Sequence, residues 1–215
     1  MIAANNTFKI NIYAQAIICC LGFMLFSFFI HFGFPLIIIS FAGLALPAVL
    51  ISIQINSTTK MIQYFGLVFP KKIILYMVIG LQLGLIYALV YRSISGMEIF
   101  PRSLTIFTAT AAMIGATEEL IFRGFIQDYF KKVNVIFAVL FATFSHTAYK
   151  CCLFFSPASE MEINVSFLFI WTFIGGLIFG ILKEISKSVI PAMLAHVLFD
   201  ILVYGECFQP PWWVW

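Results

Sequence analysis

The chain has 215 residues, 63% hydrophobic and 10% charged, with a formal net charge of +3 and a mean hydropathy of +1.07. Soluble domains run at about 45–50% apolar with about a quarter of their residues charged, and a globule of 24.3 kDa has too much surface to hide this surplus in its own core. The composition argues against a soluble enzyme and a disordered tail, the small charge gives no sign of a nucleic-acid partner, and the solvent for most of the chain is lipid. Five cysteines (Cys19, Cys20, Cys151, Cys152 and Cys207) match no zinc or redox spacing and read as small hydrophobes.

In chain order, apolar stretches near the ~20 residues needed to cross a bilayer predict helices at about residues 10–30, 35–55, 73–94, 104–130, 133–149, 164–182 and 189–205. Breaks fall at Gly33 and Pro35, over Asn56–Lys72, at Pro101, at Lys131–Lys132, over Ser156–Glu162 and over Lys183–Ser188. Only Lys9 precedes the first apolar run and no small-residue cleavage site follows it, so a removable signal peptide is not expected. The expectation is an all-α, polytopic membrane helical bundle of about seven transmembrane helices. It forms a single domain over residues 1–215, with the motif-bearing part at about 104–205. Three tryptophans within Pro210–Trp215 suit an interfacial anchor.

Seven spans put Lys9, Lys60, Lys71, Lys72, Arg123, Lys131, Lys132, Lys183 and Lys187 on one side and Arg92, Arg102 and Lys150 on the other, nine against three. The positive-inside rule then sets the N-terminus in the cytoplasm and the C-terminus outside.

Three helices carry residues that lipid does not tolerate. The fourth contains Gly115-Ala116-Thr117-Glu118-Glu119-Leu120-Ile121-Phe122-Arg123-Gly124, the fifth contains Phe141-Ala142-Thr143-Phe144-Ser145-His146, and the seventh holds His196-Val197-Leu198-Phe199-Asp200. A charge near a helix centre costs about 2.5–3.5 kcal/mol on insertion scales, so such residues face a cavity or a partner and are functional candidates. Glu119 and Arg123, four apart, lie about 40° from each other and can pair; Glu118 is about 140° from Arg123 and points elsewhere. His196 and Asp200 also share a face. At ~1.5 Å per residue from the cytoplasmic ends, Glu118 lies about 18 Å deep, His146 about 20 Å, His196 about 12 Å and Asp200 about 18 Å. All four fall in one slab, which predicts a single polar site reached from the cytoplasmic half. Gly176 and Gly180, and Ala112 and Ala116, have the small-xxx-small spacing of close helix packing. Glu160, Glu162 and Glu184 read as solvated loop residues.

Glu118-Glu119-x-x-x-Arg123, a histidine closing an aromatic-rich stretch, and His196-x-x-x-Asp200 resemble the CPBP family, the CAAX-protease and bacteriocin-processing intramembrane proteases also called Abi. Its motifs are written EExxxR, FxxxH and HxxxN/D. The resemblance covers about residues 105–204. Two positions depart from it: Ala142 stands four before His146, where the family has phenylalanine, with Phe141 and Phe144 nearby. Asp200 stands where prenyl-protein members have asparagine, and an ionised carboxylate cannot donate a hydrogen bond as an amide does.

The resemblance implies a membrane endopeptidase in which Glu118 is the general base for water, His146 holds or polarises that water, and His196 with Asp200 supports the oxyanion or leaving group. Glu119 and Arg123 are the supporting pair. The chain offers no Gly-x-Ser-x-Gly elbow, so attack by water is the simpler route. The cofactor is unassigned; a divalent metal such as zinc is one candidate, since two histidines and a carboxylate can leave a position open for water, although the His-Glu-x-x-His motif is absent. The implied partners are membrane lipid and a peptide or protein substrate, whether a prenylated protein or a bacteriocin-like peptide. Two other classes share these residues: a proton- or ion-coupled transporter, and a non-catalytic immunity protein that binds a peptide.

Overall fold

A computed structural model describes residues 11–55, 57–159 and 163–206. Among them every regular element is helical: α1 (Ile12–Phe29), α2 (Ile37–Gln54), α3 (Thr58–Tyr64), α4 (Ile73–Ile94), α5 (Phe107–Glu119), a π-helical segment (Leu120–Ile126), α6 (Gln127–Phe130), α7 (Val135–Phe155), α8 (Val165–Ser186) and α9 (Ile190–Tyr204). The expected all-α membrane bundle is what the chain forms. Lys9, Asn56, Glu160, Glu162, Cys207 and the tryptophans of 210–215 lie outside the described residues.

Polar residues mark where helices begin. The side-chain oxygens of Asn11, Ser57, Asn134 and Asn164 accept backbone N–H groups of the first turns of α1, α3, α7 and α8, satisfying donors that would otherwise be orphaned in an apolar solvent. Pro191 sits in the opening turn of α9, where its missing N–H costs nothing. Among the described residues, four helices are long and apolar enough to cross a membrane: α2, α4, α7 and α8. Residues 13–29 and α9 are apolar but shorter. The expected span at 104–130 is divided into α5, the π-helical turn and α6, and it carries Glu118, Glu119 and Arg123. Outward-facing positions such as Ile74, Ile86 and Ile136 are exposed and apolar, as lipid requires.

Two apolar clusters organise the interior. One joins α1, the π-helical segment, α6 and α7 through Phe23, Phe122, Phe125, Ile126, Ala142 and Tyr149. The other joins α4, α8 and α9 through Tyr87, Phe179, Ala192, Ala195 and Phe199. Since lipid tails are as apolar as leucine, helix association here depends on close backbone approach and polar contacts. The α4–α9 contact shows this: a Cβ on Gly80 would lie 2.3 Å from the Pro191 carbonyl oxygen, and one on Gly84 2.3 Å from that of Ala195. The predicted packing role of Gly176 holds as well, since a Cβ there would meet the Thr143 side chain at 2.7 Å.

Three local differences matter. The polar stretch after α2 forms a short helix, α3, rather than only a loop. Helix α7 continues to Phe155, past the expected end at 149, which brings Lys150 inside it. Helix α8 continues to Ser186, so Glu184 is not a solvated loop residue: it is buried, 2.8 Å from the Lys131 ammonium, and accepts a 3.0 Å hydrogen bond from Gln127. Its neighbour Lys183, also buried, pairs with Asp128. Each charge on α8 finds an opposite partner around α6, which removes the cost that would have ended the helix sooner.

Candidate active site

The polar group lies at the seam between the two apolar clusters. His146, on α7, sits between Ala142 and Tyr149 of the first, and His196, on α9, between Ala195 and Phe199 of the second. Helix α5 ends at Glu118 and Glu119, and from Leu120 the chain takes a wider π-helical turn, a local irregularity that recurs at functional sites. Gly115, one turn before Glu118, makes room for α9: a Cβ there would fall 2.4 Å from Asp200 Oδ2.

The Glu118 carboxylate is the hub. Its Oε2 is 3.0 Å from His146 Nε2 and 3.8 Å from His196 Nε2, and its Oε1 is 2.5 Å from the Lys150 ammonium. The imidazole centroids are 5.9 Å apart. His196 Nε2 also lies 3.6 Å from Asp200 Oδ2. Four of the candidate residues, Glu118, His146, His196 and Asp200, thus meet here, and they are buried together with Glu119 and Arg123.

Glu119 behaves as the spacing predicts: its Oε1 is 3.1 Å from Arg123 Nη1, both side chains fully buried. The same oxygen accepts a 2.8 Å hydrogen bond from His196 Nδ1, and the same guanidinium nitrogen is 3.2 Å from His146 Nδ1. The pair thus reaches both imidazoles, and it fixes their hydrogens. A guanidinium only donates and a carboxylate only accepts, so His146 Nδ1 is bare and its Nε2 carries the hydrogen towards Glu118. In His196, Nδ1–H is on Glu119, and Nε2 is turned to Glu118 and Asp200.

The aromatic surround of His146 comes from other positions than the family motif. Ala142 is buried in the core and Phe144 faces outward, whereas Phe122 lies 4.8 Å and Tyr149 6.3 Å from the imidazole, centroid to centroid. The ring of Phe179 is 5.2 Å from that of His196.

Lys150 is the site residue that the sequence reading missed. It was counted as a loop cation for orientation, but His146-x-x-x-Lys150 is the same one-turn spacing that singled out His196 and Asp200, and it sets both side chains on one face of α7. Its side chain is 22% exposed against 6% for Glu118, the most exposed side chain of the cluster.

Among the described residues no group of three or more His, Cys, Asp or Glu is placed to hold a metal ion. His146 Nε2 is spent on Glu118, and Lys150 brings a positive charge to that carboxylate. These side chains do not fit a zinc site as they stand.

In comparisons with known proteins, residues 100–202 match a family model described as Type II CAAX prenyl endopeptidase Rce1-like. No curated protein and no solved structure matches the chain.

Proposed function

Residues 100–202 match the Rce1-like family of type II CAAX prenyl endopeptidases, and from that likeness we propose that the chain is a glutamate-dependent intramembrane endopeptidase whose base is Glu118. The observation that carries this reading is the convergence on Glu118 Oε2 of both imidazole Nε2 atoms, at 3.0 and 3.8 Å, from two different helices.

The chemistry follows from the hydrogen assignments. A water about 2.8 Å from both Glu118 Oε2 and His196 Nε2 satisfies ordinary hydrogen-bond geometry, and the carboxylate accepts one of its hydrogens. Glu118 takes a proton as the water oxygen bonds to the scissile carbonyl carbon, then returns it to the leaving amine as the C–N bond breaks. His146 donates to Glu118 through Nε2–H and holds the carboxylate in line; in that tautomer it has no free lone pair there with which to take the proton itself. Glu119 and Arg123 keep both rings in place. Asp200, facing His196 Nε2, acts as an orienting group.

The substrate we propose is a prenylated or other membrane-bound peptide, cleaved in the cytoplasmic half of the bilayer. The excess of lysine and arginine on the N-terminal side supports that orientation. The test is cleavage of an internally quenched farnesylated CAAX peptide by protein reconstituted in vesicles. Glu118→Gln, which keeps shape and removes the base, should lower turnover by about 10²–10⁴-fold while the protein still inserts. Cleavage at the wild-type rate would overturn the reading.

A further inference from the structure

Peptide hydrolysis places a full negative charge on the former carbonyl oxygen, and removing a single donor to that oxygen typically costs about 10²–10³ in turnover. The donors around Glu118 are few, and most are engaged. Arg123 gives Nη1 to Glu119 and His146; its Nε and Nη2 have no partner, but the side chain is fully buried, with Nη2 packed against Gly176 of α8. His146 Nε2–H points at Glu118, and His196 Nδ1–H at Glu119. His196 Nε2 is turned to two carboxylates at 3.6 and 3.8 Å. Asp200 brings a carboxylate where an amide would have supplied an N–H. The Tyr149 hydroxyl interacts with the Glu118 carboxylate.

Lys150 differs from all of these. An ammonium has three N–H donors; this one is ion-paired with Glu118 Oε1 at 2.5 Å, which leaves donors to spare, and its side chain is the most exposed in the cluster. We propose that Lys150 is the oxyanion donor of this site, supplying the hydrogen bond and positive charge that Asp200 does not.

The charge bookkeeping suits this role. Before attack Lys150 neutralises the Glu118 carboxylate. As water adds, its proton moves to Glu118, its oxygen bonds to the carbonyl carbon, and the carbonyl π pair moves to oxygen. The negative charge passes from Glu118 to the oxyanion, and the ammonium, still protonated, turns an N–H to the new anion. On collapse the pair re-forms the C=O bond, the C–N bond breaks, and the amine takes the proton from Glu118. The ammonium thus interacts with the charge wherever it sits, and its flexible stem allows the short shift.

This inference rests on the endopeptidase reading, and one experiment separates the two. Lys150→Met, Lys150→Arg and Glu118→Gln are compared on the farnesylated CAAX peptide, together with binding of a phosphinate isostere of its scissile bond. Lys150→Met should lower kcat by about 10²–10³-fold, leave KM within about threefold, and weaken the phosphinate in parallel with kcat, as expected for a contact made only in the transition state. Lys150→Arg should restore most of the loss. An inactive Glu118→Gln beside a Lys150→Met of wild-type kcat overturns the role of Lys150 and leaves the endopeptidase reading standing. An active Glu118→Gln overturns both. A Lys150→Met defect that Arg does not rescue, or that leaves phosphinate affinity untouched, makes Lys150 structural and overturns the proposal.

Discussion

Arg123 Nη1 lies 3.2 Å from His146 Nδ1, and that contact decides which imidazole nitrogen carries the hydrogen. The consequence is testable because glutamine places its amide nitrogen close to the position of Nε2. His146→Gln should keep a donor to Glu118 and retain substantially more turnover than His146→Ala, which should lose about 10²–10⁴-fold. Equal loss in both variants would mean that the ring acts through something other than its Nε2–H.

The buried pair of Glu119 and Arg123 predicts an asymmetry in stability. Arg123→Met strands the Glu119 carboxylate in an apolar interior and should cost about 3–5 kcal/mol, whereas removing both charges together in Glu119→Gln/Arg123→Met should cost less. Denaturation in mixed micelles measures the difference. A double variant as unstable as the single one would show that packing rather than charge dominates there.

Gly84 has no polar role and lies on α4, yet a Cβ there would sit 2.3 Å from the Ala195 carbonyl oxygen, next to His196. Gly84→Val should push α9 outward, lowering both the melting temperature and turnover. A backbone oxygen cannot swing aside as the tip of a side chain would. Full activity in this variant would show that α9 tolerates displacement without moving His196 off Glu118.

Prolonged treatment with a strong chelator should leave peptide cleavage unchanged, because the carboxylates and imidazoles are spent on one another and on Lys150 and Arg123. Loss of turnover restored by added zinc would mean that the cluster rearranges around a metal.

Much of this architecture was legible in the sequence, because lipid makes a charge conspicuous. Glu118, His146, His196 and Asp200 stood out as polar groups in apolar helices, and counting the rise per residue put them at one depth. The boundaries of α4 follow from its apolar run alone. What could not be read depended on partners elsewhere in the chain. Lys150 and Glu184 look like helix-ending charges until Glu118 and Lys131 neutralise them. The aromatic faces beside His146 come from Phe122 and Tyr149, of which Phe122 lies on another segment, so inspecting the residues before the histidine could not find it. The π-helical turn has no signature in hydropathy at all.

The helix that carries His196 is seated from outside the stretch shared with the family. Gly80 and Gly84 on α4 form the groove for its backbone, and the Gly66 carbonyl, after α3, accepts a 2.9 Å hydrogen bond from Val189 where α9 begins. A minimal fragment cut to residues 100–202, or a transplant of the three motifs into another bundle, would keep every reactive side chain and lose the cradle that aims one of them. The part of this molecule that looks most replaceable, an anonymous run of apolar helix, therefore determines whether the recognisable part can work.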